Sequence, residues 1–200
     1  MKFLSKSSEN EMILEYLKAE CVSERFSTQV KEQMEKIGFD ESLIFSADLQ
    51  NEVDNVKRKK LIAEFRGYGV GRKMFENFPT EIEWNLCCFS SPDLKRIRYI
   101  DYSYWNELSM GTHNPLVAAE TIKSGKMIYG LSNDDFLHAA EYIRNGGKFP
   151  KLFFLTSDFE KFVIVEGHLR MTAYALVPEY FENVKAIVGK CSSEELNKWM

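Results

Sequence analysis

The spacing of apolar residues changes along the chain. Met12, Ile13, Tyr16, Leu17 and Cys21 recur at helical intervals, which predicts an amphipathic helix over residues 11–21. Phe26, Val30, Met34 and Ile37 form a second helical stripe, begun by Ser23 or Ser27 and stopped by Gly38. A short helical piece follows from Asp40. Leu49, Val53, Val56, Leu61, Ile62 and Phe65 then predict a longer helix over residues 47–65. Beyond Pro79 the period falls toward two: Ile82, Trp84, Leu86 and Phe89 read as a strand within residues 81–89. Residues 96–100 read as another strand, residues 105–115 as a polar loop, and residues 115–122 and 136–144 as helices. Residues 151–156 and 161–165 form a predicted hairpin across Ser157-Asp158-Phe159-Glu160. Residues 184–188 read as a last strand. A closing helix over residues 192–199 is capped by Ser192, with Glu195 three residues on.

This order predicts an α+β protein: a helical N-terminal extension over residues 1–80 packed on a mixed-sheet core over residues 81–200. A content of 44% hydrophobic and 14% aromatic residues fits a folded chain rather than a disordered one. The net charge of −4 and pI near 5.6 argue against non-specific nucleic-acid binding, which draws on a basic surface. No apolar run reaches membrane-spanning length, and Met1-Lys2-Phe3-Leu4-Ser5-Lys6 turns polar at once, so no membrane partner is expected. Cys21, Cys87, Cys88 and Cys191 form no CxxC pair and read as free thiols in a reducing cytoplasm.

Candidate chemistry concentrates in residues 162–176. Val163-Ile164-Val165 reads as a buried strand, Glu166-Gly167 interrupts it, and Leu169, Ala173, Leu176 and Val177 follow helical spacing. A strand, a glycine turn and a helix start together present unpaired amides at the positive end of a helix dipole, which favours phosphate. His168 and Arg170 stand there, and a guanidinium grips phosphate with two parallel hydrogen bonds. Glu166 is placed to act as a base or to take a nucleotide-borne Mg²⁺. The plainer reading makes Gly167 a turn, His168 a cap, Arg170 an ion pair and Glu166 its holder.

Secondary candidates lie elsewhere. Arg66-Gly67-Tyr68-Gly69-Val70-Gly71-Arg72-Lys73 has the makings of an amide nest, with Arg66 and Arg72 as anion contacts, or of a simple helix connection. Thr112 and His113 precede a helix that Asn114 alone suffices to cap. Lys57-Arg58-Lys59-Lys60 reads as a solvated helix face. Tyr99, Tyr102, Tyr104 and Trp105 form either a base-stacking platform or packed core. The three histidines, His113, His138 and His168, lack metal-ligand spacing, so no metal held by protein ligands alone is expected.

The run Glu166-Gly167-His168-Leu169-Arg170-Met171-Thr172-Ala173-Tyr174 resembles the signature turn of the ParB/sulfiredoxin superfamily. Phe136 to Ile143 resembles the preceding helix, Gly146-Gly147-Lys148-Phe149-Pro150 the loop after it, and the hairpin its paired strands. The resemblance spans about residues 97–190. It implies a nucleotide phosphate at the turn, with ATP or CTP and Mg²⁺ as cofactors and an NTPase or small-molecule phosphotransferase as the activity. By position Arg170 matches the phosphate-gripping arginine, Gly167 the turn glycine and Glu166 the acidic residue of the kinases. His168 stands where sulfiredoxins carry cysteine, Leu169 replaces a polar residue, and no helix-turn-helix segment follows as in ParB partition proteins. The other expectations are a non-catalytic module that senses a nucleotide or other small anion and, third, a nuclease-like activity. The N-terminal helices would then serve a protein partner or a homodimer.

Overall fold

The computed structural model describes residues 1–23 and 25–200. Its centre is a six-stranded mixed sheet in the order β1-β2-β6-β4-β5-β3. The strands are β1 (Lys2–Lys6), β2 (Glu83–Phe89), β3 (Ile97–Arg98), β4 (Leu152–Thr156), β5 (Phe162–Glu166) and β6 (Val184–Lys190). Only β6–β4 and β5–β3 run parallel; β4 and β5 form the expected antiparallel hairpin.

Side chains alternate across these strands and divide the interior in two. Cys87, Phe89, Leu152, Phe154, Phe162, Ile164, Ala186 and Val188 face one core. The helices α5 (Ser103–Leu108), α6 (Pro115–Lys123), α7 (Asp134–Arg144) and α8 (His168–Leu176) cover that side. Trp84, Phe153, Leu155, Val163, Val165 and Ile187 face the other. There α1 (Glu9–Cys21), α2 (Ser27–Lys36), α3 (Ser42–Phe45), α4 (Glu52–Arg66) and α9 (Ser193–Trp199) pack. The N-terminal helices thus form one layer of a helix–sheet–helix arrangement, an α+β architecture, and the first strand is part of the sheet.

Several sequence expectations are corrected. The strand β1 carries no buried position, so its pattern gave no signal. The helix α4 starts at Glu52, not near Ala47, because Asp48 Oδ1 accepts from Gln50 N and Asn51 Oδ1 from Asp54 N. Those local bonds compete with a helix. Neither Ser23 nor Ser27 caps α2 through its side chain; the cap position is Phe26. The supposed loop 105–115 begins inside α5. Within the basic run, Arg58 is only 1% exposed and donates to the carbonyls of Leu43 and Asp48 and to Asn55 Oδ1, so it ties α3 to α4.

Candidate functional site

The strand β5 ends at Glu166, Gly167 turns the chain with φ +97°, and α8 begins at His168. Glycine is required here: a Cβ would lie 2.7 Å from Leu152 Cδ2 and 3.1 Å from Arg170 Nη2, in a backbone region side chains disfavour. The first helical bond runs from Met171 N to Gly167 O at 2.8 Å. No side chain caps the amides before it, so the positive end of α8 is left without an internal acceptor.

Arg170 does not stand open. It is 8% exposed, and its guanidinium turns in over the start of β4. Nη1 donates to Pro150 O at 2.9 Å and to Lys151 O at 3.0 Å, and Nη2 to Glu166 Oε1 at 3.1 Å. Three of its five N–H groups are therefore engaged with the protein. The same contact places a positive charge against Glu166, which disfavours a cation at that carboxylate. Among the described residues no cluster of three or more His, Cys, Asp or Glu side chains could hold a metal.

His168 lies against an aromatic stack. Its ring is 5.1 Å from Trp105 and 6.1 Å from Tyr99, nearly parallel to both, and Tyr99 stacks on Trp105 at 4.7 Å. Burial pushes the imidazole down to about 4; Glu166 raises it and Arg170 lowers it, each by less. At neutral pH the ring is uncharged, and its Nε2 is buried without a hydrogen-bond partner. Tyr99 is fully buried, and its hydroxyl shares a 2.7 Å hydrogen bond with Thr172 Oγ1. Tyr99 is thus core, Trp105 is partly buried against it, and Tyr102 is exposed.

Tyr99 also joins the turn to the second predicted site. Its N–H donates to His113 O at 2.8 Å, and His113 adopts φ +57°. Thr112 Oγ1 donates to Ser109 O at 2.7 Å, which engages the hydroxyl within its own loop. Asn114 Oδ1 accepts from Leu116 N, and Asn114 Nδ2 donates to Leu94 O and Ile97 O, so Asn114 caps α6 and anchors the loop by itself. His113 Nδ1 is buried without a partner.

On the opposite side of the sheet, α1 and α4 hold a buried ion pair. Arg66 donates from Nε and Nη2 to Glu20 Oε1 at 3.2 and 2.5 Å, and its guanidinium lies 3.8 Å from the Phe26 ring centroid. Glu20 is 2% exposed, and its Oε2 is buried without a partner. Burial, then the nearby Glu166 charge, pushes Glu20 up to about 7; Arg66 and Arg170 oppose that rise. The same four charges surround the fully buried Tyr16, whose hydroxyl is raised mainly by burial. Glu15 of α1 pairs with Lys151 at 2.7 Å, beside the carbonyl that Arg170 holds. Arg72 is not part of this group: it is more than half exposed and reaches only Ala63 O and Glu64. Sequence reasoning missed Glu20. The signal was present, because Glu20 continues the buried stripe of Ile13, Tyr16 and Leu17.

Two hollows lie elsewhere. One, of about 200 Å³, is lined by Gly38, Asp40, Ser42, Asp54, Lys57 and Arg58. The other, of about 430 Å³, is an open surface depression beside Glu81, Glu83, Lys190 and Glu195. Comparison of the chain with models of protein families, with curated proteins and with solved structures finds no match. No helix among the described residues is long and apolar enough to cross a membrane.

Proposed function

We propose that the chain binds a nucleotide, or another small phosphate-bearing ligand, at the turn of Glu166, Gly167, His168, Leu169 and Arg170. The observation that carries this reading is the amino end of α8, whose first amides no side chain caps, beside Gly167 and an uncharged imidazole. Backbone amides there favour negative charge without a charged side chain. Arg170 shapes the turn by holding the start of β4. The order of helix, hairpin, glycine turn and helix supports a ParB/sulfiredoxin-like core, and with it ATP or CTP as ligand. Any Mg²⁺ would arrive with the phosphates.

In the catalytic form of this reading the activity is NTP hydrolysis or phosphoryl transfer, with Glu166 as base. In the second form the turn only senses the ligand. The Glu166–Arg170 bond favours sensing, because it occupies both groups that catalysis would use. A thermal-shift series with ATP, CTP, GTP and inorganic phosphate, with and without Mg²⁺, tests binding. A rise with one nucleotide is expected, and no rise with any would remove the nucleotide reading. Turnover that is lost in Glu166→Gln supports the enzyme, whereas binding without turnover supports the sensor.

A further inference from the structure

We propose that the hollow between α3, α4 and the chain leaving α2 binds a small organic carboxylate. In this site Arg58 supplies the positive field and Lys57 the direct contact. The hollow shares no residue with the Gly167 turn, so the inference stands whether or not a nucleotide binds there.

The hollow holds about 200 Å³. At about 30 Å³ per water that is room for roughly six or seven waters, enough for an acid of a few carbons and too little for a nucleotide. Its lining joins apolar groups, Phe39, Leu43 and Ala47, to the cations Lys57 and Arg58, which suits an anion with a short apolar tail. Arg58 is 1% exposed. It donates to Leu43 O at 2.9 Å, to Asp48 O at 3.0 Å and to Asn55 Oδ1 at 2.5 Å. All three acceptors are neutral. They satisfy N–H groups but leave the charge unbalanced, and a buried charge without a counter-ion is costly. The carboxylates around it are engaged elsewhere. Asp54 accepts from Lys57 at 2.8 Å and from Asn51, and Glu41 pairs with Lys31 at 2.9 Å. Asp40 accepts from Ser42 N and Asp48 from Gln50 N. Burial pulls the Arg58 guanidinium below its ordinary pKa, and the charges of Asp54 and Asp48 oppose that. An anion in the hollow supplies the missing counter-charge. Lys57 is the group that can grip it: its side chain is 39% exposed, and its Nζ lies 5.8 Å from the centroid of the Phe39 ring. Asp40 and Asp54 also line the hollow, so a doubly charged phosphate is repelled more than a singly charged carboxylate.

The test titrates propionate into ¹⁵N-labelled protein and follows the amide resonances. Saturable shifts at Ser42, Ser46, Lys57 and Arg58 are expected. Shifts that stay linear with concentration, or that fall only at His168 and Leu169, would overturn the site. Lys57→Gln removes the direct contact without entering the core. It should weaken propionate binding roughly tenfold or more, as the loss of one hydrogen bond between charged groups implies. Unchanged affinity in that variant would remove Lys57 and the proposal with it. Propylamine at matched ionic strength is expected to give no saturable shift in the hollow, and binding as tight as that of propionate would rule out an anion site. Inorganic phosphate is expected to bind there more weakly than propionate, and tighter binding would overturn the carboxylate class.

Discussion

Two glycine turns in this chain use the same residue types and reach opposite ends. Gly67 follows Arg66, has φ +86° and closes the carboxyl end of α4. Gly167 precedes Arg170, has φ +97° and opens the amino end of α8. At the first turn the exposed groups are carbonyls, and they draw cations: Lys73 Nζ donates to Phe65 O at 2.7 Å and Arg72 Nη2 to Ala63 O at 3.5 Å. The fold thereby satisfies its own basic residues. At the second turn the unpaired groups are amides, and no side chain accepts from them. The difference lies in the direction of the helix dipole, not in the glycines or arginines. The same residue types therefore offer carbonyls at one turn and amides at the other.

The largest effect expected from breaking this comparison is at Gly67. A Cβ there would meet Arg72 O at 2.3 Å, a backbone atom that cannot step aside. Gly67→Ala should cost about 3–4 kcal/mol in urea denaturation, above the usual strain of a left-handed side chain. At Gly167 the nearest atom is the end of the Leu152 side chain, so Gly167→Ala should cost about 2 kcal/mol. Equal losses would mean that the two turns are not differently built.

Arg170→Ala should cost about 3 kcal/mol, because it strips two carbonyls and a partly buried carboxylate of their donor. A loss below about 0.5 kcal/mol would place the guanidinium outside the turn's framework. Arg72→Ala, by contrast, removes a mostly exposed side chain and should change stability by no more than about 0.5 kcal/mol.

Protonation sharpens the contrast between the two faces of the turn. Glu20, raised to about 7, binds a proton more tightly in the folded chain, so its contribution is lost as pH rises toward 7. His168, lowered to about 4, binds a proton less tightly when folded, so its contribution is lost as pH falls from 6.5 toward 4. Where their windows overlap, from about pH 4.5 to 6.5, the two proton counts cancel, and these groups leave wild-type stability flat. Glu20→Gln should then gain stability with rising pH at about 1.4 kcal/mol per unit, and His168→Asn should lose it at a similar rate. Parallel pH profiles for the two variants would contradict both assignments.

Much of the fold was legible because its buried stripes are strong. Tyr16 and Leu17 belong to a helical stripe, and the hairpin strands β4 and β5 are unbroken apolar runs. Where the pattern failed, packing or local bonds had overruled it. The strand β1 is held by pairing with β2 alone, Arg58 is buried by hydrogen bonds to carbonyls, and Asn51 resets the start of α4. Glu166, Gly167, His168 and Arg170 were readable because they are contiguous. That Arg170 closes on Pro150 and Lys151 was not, since those contacts cross from one strand of the hairpin to the helix after it. The pairing of Glu20 with Arg66 was not readable either, since it joins α1 to α4 across 46 residues.

The most direct measurement compares ligand binding in wild type with Leu169→Asp. Leu169 is 37% exposed in the first turn of α8, so an aspartate there leaves the core intact and suits the helix dipole. It also sets a negative charge against any phosphate. Calorimetric titration with ATP and CTP should show binding to wild type and at least a tenfold loss in a Leu169→Asp protein of unchanged stability, about 1.4 kcal/mol. Equal affinity in the two proteins would contradict the assignment of the anion site to this turn.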